Sequence, residues 1–163
     1  MTTAVCPGSF DPITNGHLDI VTRAARHFDR VIVLVTGNPT KTSGLFTIDE
    51  RVNLIRTSTQ HLPNVSVDNW GGLLVDYTST HNITALVKGL RSSLDYEYAL
   101  PMAQMNRRLS GVDTYFLLTD EKYGYISSSL TKEVAKFGGD INGLVPDPVR
   151  EAMIAKLRAG GAQ

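Results

Sequence analysis

Gly8-Ser9-Phe10-Asp11-Pro12-Ile13-Thr14-Asn15-Gly16-His17 joins two apolar patterns of different period. Before it, Ala4-Val5-Cys6 is a short apolar run of strand type. After it, from Leu18 onward, apolar residues recur at the spacing of an amphipathic helix. A strand, a tight glycine-containing turn and a helix that opens on a histidine form an arrangement suited to phosphate. Glycine lets backbone come close to an anion. The helix start presents unpaired N–H groups and the positive end of its dipole. His17 adds a donor whose charge can follow the site. Each signal is weak alone; together they point to a nucleotide site near the N-terminus.

The alternation continues along the chain. β-rich runs at 4–6, 31–36, 65–69, 84–87 and 114–119 alternate with helical spacing at 18–27, 48–61, 73–81 and 95–109. Thr47 with Glu50 three residues on predicts a capping box for the second helix. Two helices are expected after the last strand. One spans 128–137 and closes at Gly138-Gly139; the other spans 148–157, with Asp147 as N-cap and Pro148 in the first turn. This order predicts an α/β fold. It is a Rossmann-like, doubly wound parallel five-stranded sheet with helices on both faces and C-terminal helices, in a single domain spanning 1–163. Such sheets bind ligands at the carboxyl ends of their strands, near the point where strand order reverses. The polar loops at 7–17, 37–46, 70–73, 88–95 and 120–129 fall at those ends.

Composition narrows the partners. A chain of 163 residues suits one domain, and an apolar content of 42% supports a core. Sixteen basic residues balance sixteen acidic ones. Zero net charge argues against a nucleic-acid coat, so an acidic ligand needs a local cluster of cations. No apolar segment approaches about 18 residues, and no basic region followed by an apolar stretch opens the chain. Neither a membrane span nor a secretory leader is therefore expected. The single cysteine, Cys6, fits a reducing cytoplasm and reads as a packing residue of the first strand. The tail Ala159-Gly160-Gly161-Ala162-Gln163 is expected to fray.

Three further loops carry anion chemistry. Gly37-Asn38-Pro39-Thr40-Lys41-Thr42-Ser43-Gly44 holds one lysine among small residues. A lone loop lysine is ordinarily solvated. Its place beyond a strand end, on the side of residues 7–17, favours an anion instead. Lys88-Gly89-Leu90-Arg91 sets two cations about a glycine expected to turn the backbone sharply, and Arg can grip two oxygens at once. The alternative is a surface charge pair. In Tyr123-Gly124-Tyr125-Ile126-Ser127-Ser128-Ser129-Leu130-Thr131-Lys132, three serines open a helix where a cap needs one. His27, His61 and His81 fall at predicted helix ends and read as caps or surface groups. No histidine pair or cysteine partner has metal-ligand spacing, so no tight transition-metal site is expected. Neither a GxSxG elbow nor a GxxxxGK[ST] loop occurs. Anion-friendly loops without a nucleophile describe phosphoryl or nucleotidyl transfer, where positioning and charge stabilisation carry most of the work. The residues alone leave the substrate open.

The run from Gly8 to His17 resembles the T/HxGH signature of the nucleotidylyltransferase superfamily. Thr14 at the first motif position, after Pro7-Gly8-Ser9-Phe10-Asp11-Pro12, resembles one family in particular: the bacterial phosphopantetheine adenylyltransferases of coenzyme A synthesis. The resemblance extends through Asn38-Pro39-x-Lys41, Phe46-Thr47-x-x-Glu50-Arg51, Lys88-Gly89-Leu90-Arg91, Asp95-Tyr96-Glu97-Tyr98, Met102-Ala103-x-Met105-Asn106 and Ile126-Ser127-Ser128-Ser129-Leu130-x-Lys132-Glu133-Val134. It implies attack of the 4′-phosphopantetheine phosphate on the α-phosphorus of ATP, giving dephospho-coenzyme A and pyrophosphate, with Mg²⁺ carried by the nucleotide. By matching position it implies a catalytic set of His17, Lys41, Arg91 and Ser128. ATP contacts would come from Ser9, Phe10, His17, Gly89, Leu90 and Arg91, and from Tyr123, Gly124, Tyr125, Ile126, Ser127, Ser128 and Ser129. Phosphopantetheine would meet Ser9, Lys41, Leu74 and Lys88. A homohexamer, inhibition by coenzyme A and a cytoplasmic location are implied in the same way.

The chain departs from the family in three places. Ala99 stands where the family carries a Glu that contacts nucleotide, so altered ATP affinity is expected rather than lost chemistry. Pro101 falls inside an expected helix and implies a kink or a later helix start. The segment 41–46 reads as one residue longer, with Ser43-Gly44 as the insert. Two rival readings stay open. One is another nucleotidylyltransferase, such as a glycerol-phosphate cytidylyltransferase or a nicotinamide mononucleotide adenylyltransferase. Those favour His at position 14, and the Lys-Gly-Leu-Arg run speaks against them. The other is a nucleotide-sensing module without turnover, which Ala99 supports and Ser9, His17, Lys41, Arg91 and Ser128 oppose.

Overall fold

Val31-Ile32-Val33-Leu34-Val35 is buried at every position. Successive strand residues point to opposite faces, so a strand buried throughout needs helices on both sides. The computed structural model, which describes residues 1–37 and 44–160, supplies them. Strands β1 (Thr3–Gly8), β2 (Arg30–Thr36), β3 (Val65–Trp70), β4 (Ala85–Leu90) and β5 (Asp113–Leu118) form one parallel sheet in the order β3-β2-β1-β4-β5. Helices α1 (Asn15–His27), α2 (Ile48–Thr59), α3 (Leu74–Thr80) and α4 (Ser93–Ser110) connect them; α5 (Ser128–Lys136) and α6 (Asp147–Gly160) follow.

The two faces use alternate residues. Ala4, Cys6, Val31, Val33, Val35 and Val87 pack with α1 through Ile20, Val21 and Ala24, with α2 through Ile55, and with α6 through Val149 and Met153. Val5, Ile32, Leu34 and Leu86 face the other way, onto Val75 and Tyr77 of α3 and onto Ile83 and Val112. The sheet is thus doubly wound, as the sequence predicts. The chain winds outward from β1 through β2 to β3, then crosses back to β4. Strand order therefore reverses between β1 and β4, where their carboxyl ends leave a crevice.

Four element boundaries differ from the sequence reading, each for a local reason. α1 begins at Asn15, ahead of Leu18, because Thr14 caps it and the His17 side chain closes the capping box in the place usual for Glu or Gln. β4 runs on to Leu90, so Lys88, Gly89 and Leu90 are not a turn; they pair with Phe116, Leu117 and Leu118 of β5. α6 takes in Asp147 as a first-turn residue rather than a cap, where its carboxylate meets the positive end of the helix. α4 begins at Ser93 and continues past Pro101, so no later start occurs. Its ends are fixed by Ser92, whose side chain accepts Asp95 N–H, and by Gly111 in the left-handed region at φ +76°. The Thr47–Glu50 box forms as expected.

Candidate active site

A cleft of about 620 Å³ opens at the switch point between β1 and β4. Its walls come from the β1–α1 turn, the end of β4, the first turns of α4 and the start of α5. The β1–α1 turn is held in an unusual shape. Phe10 adopts φ +46°, a left-handed conformation that bulky residues rarely take. Its ring then lies 3.0 Å from where a side chain on Gly8 would begin, so a larger residue there would have to push the ring aside. The same ring meets the His17 imidazole edge-on at 5.2 Å.

His17 has a defined tautomer. Thr14 N–H donates to His17 Nδ1 at 3.1 Å, and a backbone N–H can only donate. Nδ1 is therefore the acceptor, and the proton sits on Nε2. Burial, with the Arg91 charge as a second cause, pushes the His17 pKa down to about 4. The imidazole is then neutral at pH 7. It presents a fixed neutral donor, not the titrating charge the sequence suggests. The helix start is also less open than expected. Asn15 N–H goes to Leu144 O at 2.9 Å and His17 N–H to Thr14 Oγ1 at 3.3 Å. Among the described residues, Gly16 N–H alone in that first turn lacks an acceptor.

The free helix start is that of α5. Ser127 caps it, its hydroxyl accepting Leu130 N–H at 3.1 Å. Ser128 Oγ donates to Pro12 O at 2.7 Å, which ties α5 to the β1–α1 turn. Ser127, Ser128 and Ser129 line the cleft, and their N–H groups have no acceptor among the described residues. The serine run thus divides its work between capping, tethering and an open anion-facing turn.

Two cations complete the lining. Lys88 has no carboxylate within 4.0 Å among the described residues, and burial of its amine lowers its pKa. Arg91 donates Nε to Asp95 at 3.1 Å and Nη1 to Ile126 O at 2.9 Å. It joins the end of β4 to the segment before α5. Gly89 serves a different purpose from the turn expected of it. An added Cβ would lie 2.8 Å from Ile20 Cγ1 and 3.1 Å from its Cδ1, so glycine is what lets α1 sit directly on β4. Ile20 is itself buried, on the cleft wall. Gly89→Ala is therefore expected to cost about 1–3 kcal/mol in denaturant unfolding and to lower turnover by shifting α1 with His17.

Of the residues singled out in the sequence, the cleft gathers Ser9, Phe10, His17, Lys88, Gly89, Arg91, Ile126, Ser127, Ser128 and Ser129. Leu74, Leu90, Tyr123, Gly124 and Tyr125 do not line it, and Lys41 lies outside the described residues. Leu74 begins α3 beside the outer strand β3, where it packs on the second core with Trp70. Ala99 does line the cleft, next to Asp95 and Tyr98. Sequence reasoning missed Asp11 and Arg51, a buried ion pair with Nε 3.4 Å from Oδ1. Both stand in stretches that carry the family resemblance, but nothing in the sequence pairs them. Cys6 lies at the cleft floor, but burial pushes its thiol up to about 12, which leaves it unreactive at neutral pH. Among the described residues no group of three His, Cys, Asp or Glu gathers around a metal position.

A doubly wound sheet with a donor imidazole, two cations and an open helix start at its switch point defines a nucleotide-handling α/β protein. Residues 5–134 match the cytidylyltransferase-like family. A phosphopantetheine adenylyltransferase of Corynebacterium efficiens is 72% identical over 153 residues, covering 94% of this chain and 96% of the relative. One of Corynebacterium glutamicum has the same identity and coverage. Another, of Corynebacterium diphtheriae, is 63% identical over 159 residues, covering 98% of this chain and all of the relative. The chain belongs to the cytidylyltransferase-like family and, within it, to the phosphopantetheine adenylyltransferases.

Proposed function

We propose that the chain transfers the adenylyl group of ATP to 4′-phosphopantetheine, forming dephospho-coenzyme A and releasing pyrophosphate. The observation that carries this reading is the convergence, among the described residues, of a neutral Nε2–H donor, a lysine without a carboxylate partner and an open helix start on one cleft whose cysteine is held as the thiol. Such a site suits direct displacement. A phosphate oxygen of phosphopantetheine attacks the α-phosphorus, the bond to the bridging oxygen breaks, and pyrophosphate leaves with the electron pair. His17 Nε2–H meets the charge that builds on the α-phosphate oxygens. Arg91 and the N–H groups at the start of α5 receive the β- and γ-phosphates, with Gly89 beside them. Lys88 and Lys41 hold the incoming phosphate, and Ser9 lies between the two substrates. Ser128 acts through its N–H and its tether to Pro12, since its hydroxyl is engaged. Phe10 and the segment Ile126 to Ser129 border the adenosine side, whereas Tyr123, Gly124, Tyr125 and Leu74 stand outside the cleft lining.

Mg²⁺ would travel with the triphosphate and neutralise part of its charge. The described residues offer it no carboxylate cage, so its ligands would be phosphate oxygens and water. The reading also includes a homohexamer. Its support is an exposed apolar stripe on α4, formed by Leu94, Tyr98, Met102, Met105 and Leu109, beside exposed Tyr115 and Leu118 on the edge strand β5. Coenzyme A, which shares the product's groups, would compete for the same cleft. The reading includes a cytoplasmic location, which ATP as a substrate supports. Among the described residues no helix is long and apolar enough to cross a membrane.

Lys88→Met should raise the KM for phosphopantetheine roughly 10- to 100-fold, the equivalent of one charged hydrogen bond, and leave the KM for ATP within about threefold. Equal effects on both substrates would contradict the assignment. The reaction itself is tested by pyrophosphate release from two mixtures: ATP with Mg²⁺ and 4′-phosphopantetheine, and CTP with glycerol 3-phosphate. Release from the first alone is expected. No release, with ATP bound in calorimetry, would favour the sensing module, for which Ala99 is the specific observation.

A further inference from the structure

Three charged groups meet behind the cleft wall, and none of them lines the cleft. Asp11 is buried and fully engaged. Its Oδ1 accepts Phe46 N–H at 2.9 Å, and its Oδ2 accepts Leu45 N–H at 2.9 Å and Lys132 Nζ at 3.2 Å. Arg51 Nε donates to Phe46 O at 2.9 Å, and Arg51 Nη1 donates to Ser9 O at 3.2 Å. Gly44 is part of the same device. At its φ of +153°, an added Cβ would fall 2.5 Å from Arg51 Nη2 and 2.8 Å from Asp11 Oδ2. The cluster thus joins three segments: the β1–α1 turn, the approach to α2, and α5. Lys132 lies one turn beyond Ser128, whose hydroxyl bonds Pro12 O, so α5 is tied twice to residues 11 and 12.

We propose that Asp11, with Arg51 and Lys132, is a positioning device that sets the rate of adenylyl transfer by holding the start of α5 in register with the β1–α1 turn. The inference rests on the function proposed above. His17 and Phe10 stand on one of these segments and the open α5 N–H groups on another. Both sets would address one triphosphate, so the distance between the segments must be fixed closely. A displacement of about 1 Å can lower a rate of this kind by about 100-fold. The charges act through backbone and helix placement rather than by touching substrate.

The test uses Lys132, because it is about a third exposed and its loss leaves no buried cation unpaired; its side chain is 34% exposed against 8% for Asp11. Lys132→Met should lower kcat roughly tenfold, keep both KM values within about threefold, and change the melting temperature by no more than a few degrees. Lys132→Arg, which can reach the same carboxylate, should recover most of the lost kcat. An unchanged kcat in Lys132→Met overturns the positioning role. A raised KM with unchanged kcat also overturns it, because that pattern marks direct ground-state contact. A wild-type chain that releases no pyrophosphate overturns the function itself, a result distinct from either.

Discussion

Replacing His17 with alanine should lower kcat by about 100- to 1,000-fold, the typical loss when one aimed donor to a developing oxyanion is removed. Thr14 caps α1 and its N–H bonds Nδ1, which fixes the proton on Nε2. Burial and Arg91 keep the ring neutral, with a pKa near 4 instead of the ordinary 6.5. The donor is thus present and unchanged across about pH 6–8, and His17 should add no inflection to kcat/KM there. The variant loses a side chain of the capping box, which costs about 1 kcal/mol and leaves the fold in place. ATP should still bind. A His17→Ala enzyme with wild-type kcat would remove the imidazole from the mechanism.

The same shift has a stability consequence with a definite sign. The unfolded chain takes up a proton near pH 6.5, whereas the folded chain does so only near pH 4. Between these values the unfolded state binds more protons, so stability falls as the pH falls. His17→Ala should flatten that part of the stability profile. Melting curves between about pH 4 and 7 on both proteins check this, and equal slopes would contradict it.

Asp11→Ala should cost the fold about 3–5 kcal/mol. The carboxylate is buried with Arg51, at side-chain exposures of 8% and 10%. Removing it strands a buried guanidinium and leaves the N–H groups of Leu45 and Phe46 without their acceptor. For a domain of this size the loss corresponds to a drop in melting temperature of roughly 6–20 °C. The Asp19–Arg23 pair along α1, less buried at 18% and 31% side-chain exposure, provides the comparison. Breaking that pair should cost only about 0.3–0.5 kcal/mol. If chemical denaturation found the two changes equivalent, the buried cluster would have no special weight.

The sheet was legible because its signals are local. Val31 to Val35 can only be a strand covered on both faces, and the Thr47–Glu50 box announces its helix within four residues. The cleft was legible for a related reason. Once the strands are parallel, their carboxyl ends share one side, so Ser9, His17, Lys88, Arg91 and the serine run must come near one another. What sequence could not reveal depends on distant partners. The need for Gly89 lies in Ile20, on a helix that crosses over the strand. Asp11 draws its partners from residues 45, 46, 51 and 132, and no periodicity links them. The His17 charge state depends on burial and on Arg91, seventy-four positions away. Pro101 does not delay the start of α4, because a missing N–H costs one hydrogen bond, whereas α4 is held by caps at both ends and by packing on α3 and β5.

The most direct test follows the α-phosphate itself. ATP labelled at the α-phosphorus is mixed with the protein, Mg²⁺ and 4′-phosphopantetheine, and the products are separated. Direct adenylyl transfer places the label in dephospho-coenzyme A, with one pyrophosphate released for each labelled product and none of the label on the protein. Label recovered as free AMP, or bound covalently to the chain, would contradict the account.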